Sequence, residues 1–328
     1  MKLTRRQKQI VRTIRIPFEW IGIGLGLALF PILPRRAFLA LCDVVSAVMF
    51  ACDPKGRHLA LTNLRIVLGT TEQRGTAPAS RAERLILRRS FRNMARSAGY
   101  AFWTCYGARR KVVKAGEMDE RGRSFLAKNR QAITVSGHIG CWEILSQLAF
   151  LQGHKMMSVA KDIGTRGMTQ ILMRARRSIG QSIVRAEGAF RPLLKGIRSG
   201  CSLGLLVDQV VDVKDGGVWV RFFGHPMPVS AAPAFFSAKA KAPIVVAWSR
   251  PLKDGRWRCE TVAEYSPDDA RETWKLIQTY THDLERVIRR HPSCWVLNYR
   301  YFKRVPTREE IEQLQERERT CNLGTKIV

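Results

Sequence analysis

Two residues suited to proton transfer, His138 and Glu143, lie five positions apart, directly after an apolar segment at 132–135. The segment is typical of a short buried β-strand, and a helix is predicted to begin almost at once, over 141–151. A carboxylate beside an imidazole orients the ring, fixes its tautomer and stabilises its charged form. His138 is therefore a candidate general base for a hydroxyl group, with Glu143 as the carboxylate that orients it.

The pair alone is weak evidence, because His-x4-Glu arises by chance and a histidine after a strand is structural in many proteins. Two features of the context favour chemistry. Gly137 and Gly140 flank His138 and leave room for a substrate. In open α/β sheets, ligands bind just beyond the carboxyl ends of strands, which is where His138 is expected to lie.

Asp208 is in the same kind of position, directly after a predicted strand over 203–207. Three roles are open to it: binding of substrate, ordering of the site, or capping of the turn that follows. His225 and His291 are interpreted as structural, since His291 lies where a long predicted helix, 269–290, is stopped by Pro292.

The remaining pattern predicts an α/β fold, with short apolar strands alternating with amphipathic helices from Ala132 onwards. We expect a mixed, largely parallel sheet flanked by helices on both faces. Further strands are predicted at 156–160, 182–184, 218–223, 244–248 and 257–262, and helices at 165–179, 190–199 and 231–241.

The charge is far from balanced, with 56 Lys and Arg against 27 Asp and Glu, a formal net charge of +29. A field of that sign favours anionic partners, which include nucleic acid, an anionic membrane, phosphorylated substrates and acidic carrier proteins. The eight cysteines contain no CxxC pair and lie mostly among apolar residues. They indicate reduced, buried thiols rather than a zinc site or a disulfide framework, and no metal or other cofactor is expected.

The N-terminus predicts a membrane anchor. The first fifteen residues carry six basic side chains and no acid, an apolar run follows at 20–33, and a second apolar stretch lies at 37–51. The first run is short for a membrane span, so the region either crosses, embeds in the interface or forms a buried hairpin of a soluble protein. A cleaved signal peptide is disfavoured, because no cleavage site follows promptly. We expect residues 1–52 to be the basic start and anchor, 53–305 the catalytic domain and 306–328 a charged helix and tail.

Five blocks along the chain resemble one family, the bacterial lipid A biosynthesis acyltransferases (the lauroyl and myristoyl transferases). The first block, His138-Ile-Gly-Cys-Trp-Glu143, is similar to the family's His-x-Gly-x-Trp-Glu. The others follow in the family's order, over roughly 25–304: a basic helix at 174–180, Asp208-Gln209, Phe222-Phe223-Gly224 and His291-Pro292-Ser-Cys-Trp295. The set is specific, although each block alone is common.

The resemblance implies a glycerolipid-acyltransferase-like fold and transfer of a fatty acyl chain from acyl carrier protein to a hydroxyl of a lipid A precursor. His138 would take the hydroxyl proton and Glu143 would orient it. Cationic or N–H donors would then stabilise the oxyanion and bind the phosphates of the glycolipid acceptor. The candidates for these donors are Lys161, Arg174, Arg176 and Arg177, and Asp208 and Gln209 are further candidates for binding of the substrate. For the arginines, a solvated or headgroup-facing basic helix is the alternative. The implied location is the cytoplasmic face of a bacterial inner membrane.

The sequence departs from the family pattern at two places. Lys161 stands where an arginine followed by proline is common, and 229–232 replaces a Thr-rich, Gly-containing stretch. Both changes concern the acceptor and the acyl length rather than the proton transfer. One alternative is therefore a sister enzyme that acts on another glycolipid or on an amino-acid lipid. Two others are an inactive membrane scaffold and a basic nucleic-acid-binding protein. The last is disfavoured, because the charge is dispersed and no nucleic-acid-binding motif is present.

Overall fold

The computed structural model describes residues 16–17, 20–22, 24–104, 108–161, 169–170, 173, 177 and 181–321. Seven strands form one sheet in the order β1-β9-β8-β2-β5-β3-β4, and β6 and β7 form a separate hairpin. The strands are β1 Gly116–Met118, β2 Ile133–Ser136, β3 Met156–Ala160, β4 Gln181–Arg185, β5 Ser202–Leu206, β6 Gly217–Phe222, β7 His225–Ser230, β8 Ile244–Pro251 and β9 Trp257–Tyr265.

Helices cover the sheet and build the N-terminal part of the described chain. They are α1 Arg35–Cys52, α2 Pro54–Leu68, α3 Arg81–Trp103, α4 Ala108–Ala115, α5 Glu120–Lys128, α6 Trp142–Leu151, α7 Phe190–Arg198, α8 Ala232–Ala240, α9 Thr273–Arg290 and α10 Arg308–Thr320. Short helical turns occur at Phe30–Ile32, Thr71–Arg74, Val213–Asp215, Pro267–Glu272 and Pro292–Cys294.

All neighbouring strands of the main sheet are parallel except β8 and β9, which are antiparallel. The prediction of a mixed, largely parallel sheet flanked by helices is therefore confirmed. The central strands β2, β5 and β8 are rich in fully buried aliphatic residues, as expected for strands covered on both faces. The register of β2 and β5 pairs Ser136 with Leu206, so residues 138 and 208 leave the same sheet edge side by side.

Three elements differ from the sequence prediction. Strand β7 was missed because Pro226 and Pro228 disfavour a strand, and it is accommodated because the two-stranded hairpin lies outside the main sheet. The three-residue β1 is too short to leave a period-2 signal. The long helix predicted from Asp269 begins only at Thr273, because Asp269 accepts a hydrogen bond from the Ser266 amide and caps a 3-10 turn instead.

The N-terminal helices have an apolar outer surface. Helix α1 docks on α3 through Phe38, which is fully buried and contacts Tyr100 and Trp103. On its opposite side it exposes Val44 and Val48, which are 61% and 57% accessible. Of the sixteen exposed large hydrophobic side chains in the described parts of the chain, nine lie between residues 20 and 49. Across those same parts, no single helix meets the length and hydropathy expected of a membrane span; α1 and α2 meet them only when taken together, and they are bent by 93°.

Candidate active site

The side chains of His138 and Asp208 form a direct pair at the carboxyl edge of the sheet. His138 follows β2 and Asp208 follows β5, and these strands are hydrogen-bonded neighbours. The distance from His138 Nδ1 to Asp208 Oδ1 is 2.8 Å. Asp208 Oδ2 also accepts the backbone N–H of His138 at 2.8 Å. One carboxylate therefore binds both the main chain and the ring of the histidine.

Asp208 is ionised although it is completely buried. Burial by itself raises the pKa of a carboxyl group, but the His138 charge, the hydrogen bonds from His138 and the bond from Trp295 together lower the pKa of Asp208 below its ordinary value. A carboxylate only accepts hydrogen bonds, so Nδ1 of the neutral imidazole carries the hydrogen. The lone pair is then on Nε2, which is the nitrogen that can take a proton.

The loop that carries His138 is held on several sides. Gly140 donates its N–H to the Cys294 carbonyl at 2.7 Å, and Cys141 donates its N–H to Ser249 Oγ at 2.6 Å. Gly140 has a φ of +65°, and a Cβ atom there would lie 1.7 Å from the Ser249 carbonyl oxygen. Only glycine fits this position, both for its backbone conformation and for its close approach to β8.

Gly137 has a different reason to be glycine. A Cβ atom on Gly137 would lie 3.0 Å from Cγ of Asp208. Asp208 is fixed by its hydrogen bonds and has little freedom to move away. The absence of a side chain at Gly137 therefore allows the carboxylate to lie against the loop of His138.

Trp295 completes the environment of the carboxylate. Its Nε1–H donates to Asp208 Oδ2 at 2.9 Å, and its ring is stacked on Tyr301 with centroids 4.0 Å apart. The segment around Trp295 pairs with the His138 loop, since the Val296 N–H donates to the His138 carbonyl. A segment 157 positions downstream in the chain thus fixes both members of the pair.

The Phe222-Phe223-Gly224 block supports Trp295 from behind. Phe223 and Gly224 form the two-residue turn of the β6–β7 hairpin, and both have positive φ, as a type I′ turn requires. Phe223 is held in this unusual conformation by Glu285, which accepts its backbone N–H at 2.9 Å. The Phe223 ring lies 5.7 Å from the Trp295 ring, so the hairpin supports the site through Trp295.

The outer nitrogen of His138 faces the open side of the site. The His138 side chain is 22% exposed, and Gln209 Nε2 lies 3.3 Å from His138 Nε2. The indole of Trp142 meets the imidazole edge-on, with centroids 4.9 Å apart. The base nitrogen is therefore accessible from one side and bounded by a side-chain amide and an aromatic ring.

The orienting contact that the sequence analysis assigned to Glu143 is made by Asp208 on Nδ1. Glu143 is buried on the first turn of α6, and its carbonyl accepts a hydrogen bond from Gln181 at 3.2 Å. Its catalytic role stays a prediction. For Asp208, ordering of the site is the role that the geometry favours among the three considered.

The predicted binding cations are only partly described. Lys161 is the first residue after β3, so it lies at the same sheet edge as Asp208 and is exposed. Arg177 is exposed as well. Arg174 and Arg176, together with most of the predicted basic helix at 165–179, lie outside the described residues. The binding roles of all four stay predictions.

The structure adds partners that the sequence analysis did not name as site residues. Trp295 and Ser249 act through Asp208 and the His138 loop, respectively, from positions far away in the chain. The only sequence signal for Trp295 was its place in the resembling block. Within the described ranges, no cluster of three or more His, Cys, Asp or Glu residues suited to a metal ion is found.

Comparison with known protein families gives one match. The sequence fits the family described as bacterial lipid A biosynthesis acyltransferase over residues 4–304. None of the curated proteins matches this chain. The matched range includes every residue of the pair, the loop and the segment around Trp295.

Proposed function

This chain belongs to the bacterial lipid A biosynthesis acyltransferase family and is an acyltransferase, and from that premise we propose that it moves a fatty acyl chain from acyl carrier protein to a hydroxyl of a lipid A precursor. The observation that carries the proposal is the His138–Asp208 pair, with Nδ1 held at 2.8 Å and Nε2 facing the open side. This is the arrangement of a general base prepared to activate a hydroxyl group.

The proposed reaction uses no group beyond the chain and its two substrates. His138 Nε2 takes the proton of the acceptor hydroxyl while its oxygen forms a bond to the thioester carbonyl carbon. The tetrahedral intermediate then breaks its C–S bond, and the thiol of the carrier leaves with the proton from Nε2. Throughout, Asp208 stabilises the imidazolium by its charge and does not itself accept the proton.

The net charge of the chain favours binding of both proposed substrates. A net charge of +29 attracts an acidic carrier protein and a phosphorylated glycolipid. Lys161, at the carboxyl edge of β3, is in a position to meet an anionic group that approaches His138 from the open side. We assign Lys161 and the basic residues 174, 176 and 177 to binding of the acceptor phosphates or the carrier, and Glu143 to support of the site.

Mass spectrometry of lipid A tests the proposal directly. Cells that lack this protein are expected to accumulate a lipid A species that is short of one acyl chain. Expression of the wild-type protein should restore the fully acylated lipid A. The mass difference gives the acyl length, and fragmentation gives the acylated position. A control strain expressing an unrelated basic protein should restore nothing. An unchanged lipid A profile with loss of an acylated glycolipid or amino-acid lipid would assign the enzyme to another acceptor.

We further propose that the enzyme works at the cytoplasmic face of the inner membrane, with the outer face of α1 against lipid. The residues that α1 exposes between 37 and 51 are all apolar, although they face away from α3. An apolar helix face suits either a core or a lipid environment, and none of the described core residues covers the outer half of α1. The apolar residues exposed between 20 and 32 extend the same character.

A cluster of basic side chains lies at the start of α1. Arg35 donates to the Lys114 carbonyl at 3.4 Å and Lys111 donates to the Pro31 carbonyl at 2.5 Å, so α4 is held against the start of α1 and the helical turn before it. Arg36 on α1 and Arg110 on α4 are exposed as well. An apolar face bordered by cations matches the interface of an anionic bilayer, where each basic residue contributes about 1 kcal/mol.

Charge placed on the apolar face should release the protein from membranes. Replacing both Val44 and Val48 by aspartate is expected to weaken binding to vesicles of phosphatidylethanolamine and phosphatidylglycerol by roughly 100-fold. The reason is that each of the two lipid-buried side chains contributes about 1.5 kcal/mol to the free energy of membrane binding. Flotation of the purified protein with vesicles measures the effect. The matched control is Val305→Asp, because Val305 is 78% exposed outside the α1 face. Equal flotation of the double variant and the wild type would remove α1 from the membrane contact.

A further inference from the structure

The amide of Gln209 lies beside the nitrogen of His138 that would take the proton of the acceptor hydroxyl. Its Nε2 is 3.3 Å from His138 Nε2, the nitrogen that carries the lone pair. Because Nε2 of the neutral ring accepts, the amide nitrogen of Gln209 is the donor in the resting enzyme. Gln209 therefore occupies the place that the acceptor hydroxyl must take before its proton can be transferred.

The backbone of the catalytic loop has few donors left for a developing negative charge. The N–H of His138 is bound by Asp208, that of Gly140 by the Cys294 carbonyl and that of Cys141 by Ser249. In many acyl-transfer enzymes such loop amides form the oxyanion hole. Here three of them stabilise the loop instead, which favours a side chain as the source of the hydrogen bond.

We propose that Gln209 is a catalytic residue whose amide N–H passes from His138 Nε2 to the thioester carbonyl oxygen as the tetrahedral intermediate forms. This inference rests on the proposed acyl transfer. The hydroxyl enters, displaces the amide from Nε2 and gives its proton to that nitrogen. The new O–C bond pushes the carbonyl electron pair onto its oxygen, and the Gln209 N–H donates to it. Gln209 exchanges no proton, and the C–S bond breaks as described above.

The distances agree with this exchange. A hydroxyl oxygen hydrogen-bonded to Nε2 lies about 3 Å from it, and the carbonyl oxygen is only two bonds from the attacking oxygen in the intermediate. A donor 3.3 Å from Nε2 thus needs only a side-chain rotation to reach the oxyanion. Gln209 is also fixed at its backbone by following Asp208, whose carboxylate is held by three hydrogen bonds.

The test compares two acyl donors in two proteins. Gln209→Met has nearly the same length but no donor, and with the ordinary dodecanoyl thioester of acyl carrier protein its kcat is expected to fall by roughly 100-fold or more with KM little changed. With the dithioester analogue, whose sulfur in place of the carbonyl oxygen accepts hydrogen bonds poorly, the same substitution should change kcat only slightly. The control Gln313→Met lies on exposed α10 and should behave as wild type.

The outcomes separate the possible errors. A variant that loses kcat equally with both donors would show that Gln209 only orients His138, and one that raises KM alone would show a substrate-binding role; either overturns the proposal. The melting temperature of Gln209→Met should match that of the wild type. If Gln209→Met is strongly destabilised, Gln209→Glu replaces it, because this variant keeps a polar side chain of the same length. Its kcat is expected to be lower still than that of Gln209→Met. If the wild-type enzyme itself transfers no acyl group, the proposed function fails, and the inference fails with it.

Discussion

Replacing His138 by alanine is expected to abolish acyl transfer while leaving the protein folded. The imidazole Nε2 is the proposed acceptor of the hydroxyl proton, and loss of a general base costs about 100- to 10,000-fold in rate. We expect the upper end of this range, because the amide of Gln209 near Nε2 has no basic lone pair to replace it. The rate is measured as transfer of labelled dodecanoyl groups from acyl carrier protein to a tetra-acylated lipid A precursor.

The fold should survive this substitution for a specific reason. The main-chain hydrogen bonds of His138, to Asp208 and from Val296, do not use the ring. Vesicle binding and the melting temperature therefore serve as internal checks. His58→Ala is the matched control, because His58 is exposed on α2 and far in sequence from the site. Near-normal transfer by His138→Ala would remove His138 from the mechanism, whatever the family match.

Much of the fold was predictable because its strands are buried on both faces. Segments such as Ile133–Ser136 and Ser202–Leu206 are short apolar runs, and their predicted positions differ from the observed ones by a single residue. Since ligands of open α/β sheets bind beyond the carboxyl ends of strands, the same segments predict that His138 and Asp208 lie at the ligand-binding edge. Local periodicity is sufficient for such elements, since burial dictates the residue types.

The pairing within the site was not predictable in the same way. Proximity in the chain favours Glu143 as the partner of His138, because Glu143 lies on the first turn of the following helix and can reach back to the ring. Asp208 is 70 positions away, and only the parallel pairing of β2 with β5 brings it to Nδ1. Strand order is a non-local property, and no periodicity within one segment reports it. The same holds for Trp295, whose contact with Asp208 depends on the crossing of the C-terminal segment over the His138 loop.

The Phe222-Phe223-Gly224 block shows a further limit. The sequence identified it only by resemblance, and a proline-flanked stretch gave no reason to expect a hairpin. In the structure, its turn places Phe223 against Trp295, which in turn binds Asp208. A block far from the chemistry in sequence therefore acts on the general base through two packed aromatic rings.

Asp208→Asn is the second substitution from which we expect a large loss of kcat, and the reason lies in the hydrogen bonds of the carboxylate. Oδ2 accepts two donors, from the His138 backbone and from Trp295, while Oδ1 accepts Nδ1. An asparagine keeps the two bonds only if its oxygen takes the Oδ2 position, which turns its NH2 group towards the ring. The ring must then present an Nδ1 lone pair and carry its hydrogen on Nε2, the tautomer that cannot act as a base. We expect kcat to fall by roughly 1,000-fold or more, with the fold retained.

The experiment also decides between the two carboxylates. Transfer rates of Asp208→Asn and Glu143→Gln are compared under identical conditions, and the tautomer of His138 is read from the ring-nitrogen shifts in ¹⁵N NMR spectra. Asp215→Asn is the matched control, since Asp215 is exposed in the loop that follows Gln209. A wrong tautomer and a slow reaction in the Asp208 variant would establish it as the residue that orients the base. A fast Asp208 variant beside a slow Glu143 variant, with the tautomer altered only in the second, would instead restore the orienting role to Glu143, and the hydrogen bond between Asp208 and Nδ1 would then be structural.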